Sequence, residues 1–293
     1  MDDGADLAVI SGSGELPLLI KKLYKKAIFI KFNNSSIVKE DGVFNCEFEK
    51  LGFLFECLNQ NGIRRVVMAG AIARPQFNEN IMDEYTFNLF PKLKEKLVQG
   101  DNELLSFIAT EFEQKGYKIL GAADIIPDLT VSSGFVCGSP YKSLSRDISK
   151  ADRVLNKLSS EDIGQGIVIE NGLVLGIETL QGTNELLKFV ARTSSHLRIS
   201  GLGGIFVKRP KVDQDLRFDM PVIGPKTIEL AFKAGLRGLV ISPGSVLLLE
   251  KDKCVEMAQA KNFFIFSLIL VVFIIFISLS RSHYLVDNCH YST

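Results

Sequence analysis

The chain has 293 residues, of which 46% are hydrophobic and 23% charged, and is therefore long enough for about two packed domains. Lysine plus arginine and aspartate plus glutamate both number 34, so the chain lacks the basic excess that is typical of nucleic-acid-binding proteins. Only His196 lies in the body of the chain, which excludes a histidine-rich zinc or binuclear hydrolase centre and leaves carboxylates as ligands for a metal such as Mg²⁺ or Mn²⁺.

The first half of the chain alternates short apolar runs with helical patterns. The predicted strands are Leu7–Ile10, Ala27–Phe32, Arg65–Ala69 and Tyr117–Leu120, and the predicted helices are Leu16–Tyr24, Leu51–Asn59, Leu89–Val98 and Asn102–Lys115. This alternation is typical of a parallel sheet that is covered by helices on both faces. We therefore predict an α/β fold whose first domain, residues 1–130, is a Rossmann-like, doubly wound parallel sheet that binds a nucleotide.

The loop after the first predicted strand is rich in glycine. Sheets of this kind bind ligands at the carboxyl ends of their strands, and Gly12, Ser13 and Gly14 offer backbone N–H groups there at the start of a helix, which suits a phosphate. Pro17 occupies the place of the third glycine in the G-x-G-x-x-G fingerprint, which argues against a dinucleotide-dependent dehydrogenase. The other loops at this edge are Gly70 to Arg74 and Gly121 to Asp124.

The second half mixes hairpin and helix signals. Residues 129–139, rich in Ser, Gly and Thr, are predicted to be a linker, and Asn171-Gly172 is a strong hairpin signal. The predicted strands are Gly166–Glu170, Leu173–Glu178, Gly204–Lys208, Gly238–Ile241 and Val246–Leu249, and the predicted helices are Ser149–Leu158, Thr183–Ala191 and Thr227–Ala234. We predict a second α/β domain with a mixed sheet over residues 138–265.

One acidic residue of this half, Asp219, lies in the stretch R-F-D-M-P-V-I-G-P-K-T-I, residues 217–228, directly ahead of a helical pattern. A carboxylate in a rigid turn beside cations suits a metal or a phosphate-bearing ligand. A charged surface loop that caps a helix is an equally good interpretation of the stretch taken alone.

The C-terminal residues 262–280 contain no charged side chain. A run of about 20 apolar residues can span a bilayer, and the lysines before it would keep the body of the chain in the cytoplasm. Five cysteines without C-x-x-C spacing are also typical of a cytosolic protein with reduced thiols. The alternative is a buried last strand, Phe263 to Leu268, followed by a tail that ends with the polar residues 281–293.

Six stretches together resemble the LpxI family, the UDP-2,3-diacylglucosamine pyrophosphatases of lipid A biosynthesis. The stretches are G-S-G-E-L-P, A-G-A-I-A-R-P, G-D-N-E-L-L, D-I-G-Q-G, E-T-L-Q-G-T-N and R-F-D-M-P-V-I-G-P-K-T-I, in the order of the family. The resemblance implies hydrolysis of UDP-2,3-diacylglucosamine to UMP and lipid X, 2,3-diacylglucosamine 1-phosphate. It further implies dependence on Mg²⁺ or a similar cation and action at the surface of the inner membrane, without nucleic acid. We also expect a homodimer.

The resemblance makes Asp219 the catalytic or metal-binding carboxylate, with Glu178 and Asp101 as secondary candidate metal ligands. The candidates for neutralising the pyrophosphate are Lys208, Lys211 and Arg217, since arginine can bind phosphate with two parallel hydrogen bonds. The expected nucleotide-binding residues are Gly12, Ser13, Gly14 and the loop from Gly70 to Arg74. The expected facing wall between the domains consists of Gly100, Asp101, Asn102, Gln165, Gly166 and Thr183.

Two further functions remain as alternatives. A non-catalytic nucleotide-sugar or lipid-binding protein would use the same cleft between the domains and would bind ligand without releasing UMP. A nucleotide-dependent oxidoreductase is disfavoured by the broken glycine fingerprint. Whether the expected carboxylate binds the cation or acts as a general base is left open by the sequence.

Overall fold

A computed structural model describes residues 3–32, 42–72, 75–139, 144–198 and 203–268. The chain divides into two compact units. Unit 1 comprises Met1–Pro127 together with Asp215–Met220, and unit 2 comprises Asp128–Gln214 together with Pro221–Thr293. The segment that contains Asp219 therefore belongs to unit 1, although it lies far along the chain from the rest of that unit.

Unit 1 is built on a five-stranded parallel sheet with the strand order β3-β2-β1-β4-β5. The strands are β1 Leu7–Ser11, β2 Ile28–Phe32, β3 Val43–Cys46, β4 Arg65–Ala69 and β5 Lys118–Leu120. Every residue of the central strand β1 is buried, as expected where helices cover both faces of a parallel sheet. The first strand thus lies in the middle of the sheet, with its carboxyl end beside that of β4.

The helices of unit 1 are α1 Glu15–Leu23, α2 Leu51–Gln60, α3 Glu84–Gln99, α4 Asp101–Gln114 and α5 Ala122–Ile125. An aromatic cluster joins α2, α4 and the sheet, since Phe55 stacks on Tyr117 and meets Phe112 edge to face at 5.0 Å. These rings are buried among the apolar residues of β1 and β4. Phe218 packs against the same cluster, which places the 215–220 segment on unit 1 through apolar contact.

Unit 2 contains a mixed six-stranded sheet with the order β6-β13-β11-β9-β7-β8 and a separate two-stranded ladder, β10-β12. The strands are β6 Gly134–Cys137, β7 Gly166–Glu170, β8 Leu173–Ile177, β9 Gly204–Lys208, β10 Val222–Ile223, β11 Leu236–Ile241, β12 Leu247–Leu248 and β13 Phe264–Ser267. Three central strands, β9, β11 and β13, are parallel, whereas β6 and β7 pair antiparallel with their neighbours.

Helices cover both faces of the sheet of unit 2. They are α6 Leu144–Ser159, α7 Gly182–Ala191, α8 Pro225–Lys233 and α9 Lys251–Ala260. Alternate residues of one strand point to opposite faces, and in β9 Ile205 and Val207 pack with α6 whereas Phe206 packs with the other three helices. The single helix α6 therefore covers one face, and α7, α8 and α9 cover the other.

The predicted fold class is confirmed, since a parallel Rossmann-like sheet is followed by a second α/β unit with a mixed sheet. Five elements were absent from the sequence interpretation, namely β3, β6, β10, α5 and α9. Of these, β6 lies within the Ser-, Gly- and Thr-rich residues 129–139 that were predicted to be a linker. Its pairing with β13 is a long-range contact that local composition does not indicate.

The start of the apolar C-terminal run forms strand β13 rather than the first turns of a helix. This strand lies between β11 and β6, and Phe263, Phe264 and Ile265 are buried. Residues 269–280 of the predicted membrane-spanning helix and the tail 281–293 lie outside the described residues. Among the helices that the structure describes, none has the length and apolarity needed to cross a membrane.

The β7–β8 hairpin depends on a buried carboxylate of α6. Asn171 and Gly172 form its turn with φ angles of 48° and 81°, and their N–H groups donate to Asp147 at 3.0 and 2.7 Å. Asp147 is buried, so its loss would leave two turn amides without their acceptor. We expect Asp147→Ala to lower the free energy of unfolding by about 1–3 kcal/mol in urea denaturation. The matched change at the exposed Glu161, Glu161→Ala, should stay within about 0.5 kcal/mol of the parent, and equal losses would contradict this role.

Candidate functional site

Two loops interlock at the carboxyl edge of the unit 1 sheet. The N–H of Ser13 donates to the carbonyl oxygen of Ala71 at 2.8 Å, and the N–H of Ala71 donates back to Ser13 at 3.0 Å. The Ser13 hydroxyl donates to the same Ala71 carbonyl at 3.2 Å. The loop after β1 and the loop after β4 are thereby fixed to each other by an isolated antiparallel bridge.

Glycine is required on both sides of this bridge. A Cβ atom on Gly12 would lie 2.4 Å from the Ala71 carbonyl oxygen, and one on Gly70 would lie 2.4 Å from the Ser13 carbonyl oxygen. Gly14, which precedes α1, has open space around it but a φ of 109°, so the backbone angle itself selects glycine. The predicted loop Gly12-Ser13-Gly14 is therefore held rigidly at the N-terminus of α1, an arrangement suited to phosphate. Arg74, predicted with this loop, lies outside the described residues.

The Asp219 segment is anchored on unit 1 at the same edge of the sheet. Gly121 follows β5 directly, and a Cβ on it would lie 3.2 Å from the Arg217 Cα, so the segment passes close to the carboxyl end of β5. The N–H of Asp219 donates to the carbonyl oxygen of Asp215 at 3.3 Å. Since β1, β4 and β5 are neighbours, unit 1 by itself places the half-buried Asp219 and the glycine loops at one sheet edge.

Arg217 is held by two carboxylates of its own unit. Its guanidinium contacts Asp215 at 2.6 Å and Glu113 at 2.5 Å. Hydrogen bonding to Asp215, and then to Glu113, raises the pKa of Arg217 above its ordinary value, and Arg217 lowers the pKa of Asp215. Arg217 was predicted to bind phosphate. In the structure its N–H groups donate to Asp215 and Glu113 instead, so Arg217 would have to release these carboxylates before it could bind a phosphate. No sequence signal indicated Glu113, which is 104 positions away.

Gly100, Asp101 and Asn102 form the junction between α3 and α4. Gly100 has a φ of 129° and allows the chain to turn from one helix directly into the next. The Oδ1 atom of Asn102 is buried and makes no hydrogen bond within the described part of the chain. The side chain of Asp101, a predicted site residue, lies outside the part of the chain that the structure describes. A buried amide oxygen without a donor is unusual, and it is consistent with a polar ligand at this junction.

In unit 2, the predicted residues Glu178, Thr183 and Lys208 form a closed, buried network, which we call the lysine–glutamate network. The ammonium of Lys208 donates to both Glu178 oxygens at 2.9 and 2.8 Å and to the Thr183 hydroxyl at 2.6 Å. Thr183 in turn donates to Glu178 at 3.0 Å. The three ammonium donors thus meet three oxygen acceptors, which offsets the cost of burying both charges.

This network explains two features of the neighbouring sequence. Gly166 is glycine because a Cβ there would lie 2.4 Å from Glu178 Oε2, and Gly164 because a Cβ would lie 2.1 Å from the Glu178 carbonyl oxygen. The predicted start of this helix at Thr183 also changes: α7 begins at Gly182 with Gln181 at its N-cap. Thr183 does not act as the cap because its hydroxyl belongs to the network.

The remaining candidates lie beside this network in unit 2. The carbonyl oxygen of Gln165 accepts from the N–H of Arg209 at 2.9 Å, which fixes the D-I-G-Q-G loop to the end of β9. Lys211 contacts Asp162 of the same loop at 2.5 Å. Unit 2 therefore brings together Gln165, Gly166, Glu178, Thr183 and Lys208, with Lys211 bound to the loop's first residue.

A metal site made only of protein ligands is not present in the described part of the chain, where no group of three or more His, Cys, Asp or Glu side chains has suitable geometry. Glu178 fits a cation poorly because an ammonium already contacts both of its oxygens. We therefore revise Glu178 from a candidate metal ligand to the partner of Lys208. The sparser arrangement typical of Mg²⁺, in which one or two carboxylates act together with phosphate oxygens of a ligand, does not require such a group.

Glycine loops at the carboxyl edge of a Rossmann-like sheet, together with an anchored carboxylate, define an α/β protein with a site suited to a phosphate-bearing ligand. Comparison with known proteins agrees with this class. Residues 6–129 match the LpxI N-terminal domain, and residues 132–266 match the LpxI C-terminal domain. The chain is also 30% identical over 269 residues to the UDP-2,3-diacylglucosamine pyrophosphatase LpxI of Caulobacter vibrioides, covering 88% of this chain and 96% of that protein. The chain belongs to the LpxI family, as its motifs predicted.

The lysine–glutamate network should tolerate the loss of both charges better than the loss of one. We expect Lys208→Met to destabilise the protein by about 3–5 kcal/mol, because Glu178 would stay buried without its cation. The double variant Lys208→Met/Glu178→Gln should recover part of that loss in urea denaturation.

Lys211→Met is the matched control for Lys208→Met, because the Lys211–Asp162 pair lies nearer the surface and should contribute about 1 kcal/mol or less. Strictly additive losses in the double variant would show that Lys208 and Glu178 are not energetically coupled.

Proposed function

We propose that this chain hydrolyses the pyrophosphate bond of UDP-2,3-diacylglucosamine to UMP and 2,3-diacylglucosamine 1-phosphate in lipid A biosynthesis. The supporting observation is membership of the LpxI family across both domains, with a relative named for this activity that matches along nearly its whole length. The contiguous match makes a non-catalytic binding role the weaker candidate.

The interlocked loops of unit 1 support binding of the nucleotide end of such a substrate. The N–H groups at the start of α1 would face the pyrophosphate, and the helix dipole favours negative charge there by about 0.3–1 kcal/mol. Rigid loops also reduce the entropy lost on binding, because Gly12 and Gly70 already hold the two loops together. We assign Gly12, Ser13, Gly14 and Gly70 to this role.

Asp219 is the proposed catalytic carboxylate. A pyrophosphate diester has two negative charges that repel an attacking hydroxide, so catalysis needs charge neutralisation and an activated water. A positioned carboxylate that accepts the proton of water contributes about 10²- to 10⁴-fold in rate. The anchoring of its segment by Phe218, Arg217 and Gly121 would keep Asp219 in a fixed position for this step.

We further propose that Mg²⁺ or Mn²⁺ supports the reaction, held by Asp219 and phosphoryl oxygens of the substrate. Such a cation would neutralise charge on the phosphoryl group. The chain itself supplies candidate positive charges for the pyrophosphate, namely Lys208 and Lys211 in unit 2 and Arg217 in unit 1. Arg217 and Lys211 are more readily exchanged than Lys208, because their partners Glu113 and Asp162 are 43% and 42% exposed whereas the partner of Lys208 is buried.

The proposed substrate has two acyl chains and is a membrane lipid. We therefore propose that the protein works at the surface of the inner membrane. Comparing membrane and supernatant fractions of the full chain before and after a high-salt wash would test this association.

The central test is release of UMP from UDP-2,3-diacylglucosamine by the purified full chain. Asp219→Ala and Asp219→Asn should lower kcat by about 10²- to 10⁴-fold while leaving substrate affinity largely unchanged, because the carboxylate acts on the reaction rather than on binding. Asp213→Asn is the matched control, since Asp213 is exposed in the preceding turn and has a φ of 61° that asparagine tolerates. Normal turnover by the Asp219 variants would exclude the assigned role, and substrate binding without UMP release by the parent would favour the binding-protein alternative.

Dependence on the cation has a separate test. EDTA should suppress UMP release, and added Mg²⁺ or Mn²⁺ should restore it, because the proposed ligand set uses only oxygen atoms. Full activity in EDTA would show that Asp219 acts without a metal and would leave the general-base role as the remaining one.

A further inference from the structure

The end of helix α1 and the turn after it form a basic surface on unit 1. Residues 15–26 read E-L-P-L-L-I-K-K-L-Y-K-K, with four lysines and one glutamate in a chain whose net charge is 0. Lys21, Lys22 and Lys25 are exposed, and none of them forms an ion pair with another described residue. The fourth, Lys26, pairs with Asp3 at 2.6 Å. Three positive charges therefore remain together on this surface.

Four exposed lysines of unit 2 differ from these three, because each pairs with a glutamate three or four positions away at 2.6 to 3.0 Å. They are Lys188, Lys226, Lys233 and Lys253. Lysines in the last turn of a helix also complement its dipole, which would account for Lys21 and Lys22. It does not account for Lys25, which follows the end of the helix, so the cluster needs a further explanation.

Two leucines are exposed beside these lysines. Leu18 is 64% exposed and Leu23 is 49% exposed, whereas the opposite side of the helix is buried. Lys21 and Lys22 follow Leu18 by three and four residues, so the three side chains lie on one face of the helix. Exposed apolar side chains among lysines are typical of a surface that docks on an anionic membrane, where the apolar groups enter the interface and the lysines meet lipid phosphates.

This basic surface lies on the same helix as the proposed phosphate-binding loop. Helix α1 begins directly after Gly12-Ser13-Gly14, and at 1.5 Å per residue its two lysines lie about 10 Å along the axis from its first residue. That residue, Glu15, is the acidic residue of the helix and is in the first turn, away from the lysines. A lipid surface that contacts Leu18 and the lysines would therefore lie close to the loop that we assign to the pyrophosphate.

We propose that this surface docks on the anionic phospholipids of the membrane that holds the substrate. We call it the α1 face, and it consists of Leu18, Lys21, Lys22, Leu23 and Lys25. The inference rests on the proposed function, because it names the surface by which the proposed enzyme reaches a membrane lipid. The exposed leucines favour lipid over nucleic acid, and the chain as a whole lacks the basic excess of a nucleic-acid-binding protein. Each lysine strengthens binding to an anionic membrane about 5-fold, so three together should contribute about 100-fold.

The first test is co-sedimentation of the purified full chain with lipid vesicles. The parent should bind vesicles of three parts phosphatidylethanolamine to one part phosphatidylglycerol, should not bind vesicles of phosphatidylcholine alone, and should be released by salt, which screens the charges. The triple variant Lys21→Gln/Lys22→Gln/Lys25→Gln should bind the anionic vesicles about 100-fold more weakly. Its urea denaturation should match that of the parent, although Lys21 also lies 5.9 Å from the centre of the Phe29 ring.

The paired lysines of unit 2 supply the matched control for charge. Lys226→Gln/Lys233→Gln/Lys253→Gln removes the same number of charges and should keep the affinity of the parent, because these side chains already contact glutamates.

The apolar contact has its own variant and control. Leu18→Gln should weaken vesicle binding about 5- to 10-fold, because less apolar surface would leave water. Leu197→Gln should not change the binding, since Leu197 has a similar exposure of 61% but lies in unit 2.

Release of UMP separates this inference from the proposed function. With UDP-2,3-diacylglucosamine in detergent micelles, the triple variant of the α1 face should turn over at the rate of the parent, because its three lysines are not part of the proposed site. With the same substrate in the anionic vesicles, the rate of the variant should fall in proportion to the fraction of protein that is bound.

Three outcomes would overturn the α1 face whether or not UMP is released: a parent that does not bind the anionic vesicles, binding that survives the triple substitution, or an equal loss in the control with three paired lysines. Binding of the parent to double-stranded DNA as tightly as to the vesicles, with no effect of Leu18→Gln on either, would overturn it in favour of a nucleic-acid surface. Vesicle binding that depends on the α1 face without any release of UMP would support the face and contradict the proposed function instead.

Discussion

The buried pair of Lys208 and Glu178 is the constraint on which much of unit 2 depends. Two opposite charges that are removed from water need good geometry and further hydrogen bonds, and Thr183 completes both. The pair joins the end of β9, the residue after β8 and the first turn of α7. The Glu178 side chain also forces glycine at position 166, and the Glu178 backbone forces it at position 164, so the placement of Glu178 accounts for much of the D-I-G-Q-G motif.

In unit 1 the comparable constraint comes from close packing of the backbone rather than from a pair of charged side chains. The loops after β1 and β4 approach so closely that Gly12 and Gly70 leave no room for a Cβ atom. The 215–220 segment then joins the same sheet edge through the apolar contact of Phe218 and the ion pairs of Arg217. A carboxylate supplied by a distant part of the chain thus lies at the carboxyl edge of a Rossmann-like sheet. Arg217 and Phe218 of the motif thus have a physical role, which is to anchor the segment on unit 1.

The apolar C-terminal run could be interpreted from its composition either as a membrane-spanning helix or as a buried last strand. Phe, Ile, Leu and Val are favoured both in a membrane helix and in a fully buried strand, so hydropathy cannot distinguish the two. Pairing with β11 and β6 decides the matter for Phe264–Ser267. The same limit explains why β6 was missed, since its Ser- and Gly-rich surroundings are typical of a loop and only its partner β13 makes it a strand.

Local patterns of the sequence determined the alternation of strands and helices in unit 1, the β7–β8 hairpin at Asn171-Gly172, the glycine loop before α1 and the family. These features depend on neighbours within a few residues, where periodicity and turn chemistry act. The tertiary structure alone decided that Arg217 is held by Glu113, that Glu178 pairs with Lys208, and that Asp219 is anchored on unit 1. Each of these depends on side chains brought together from distant parts of the chain. Charge and residue type indicate what such side chains could bind, but only the folded structure determines which partner each of them contacts.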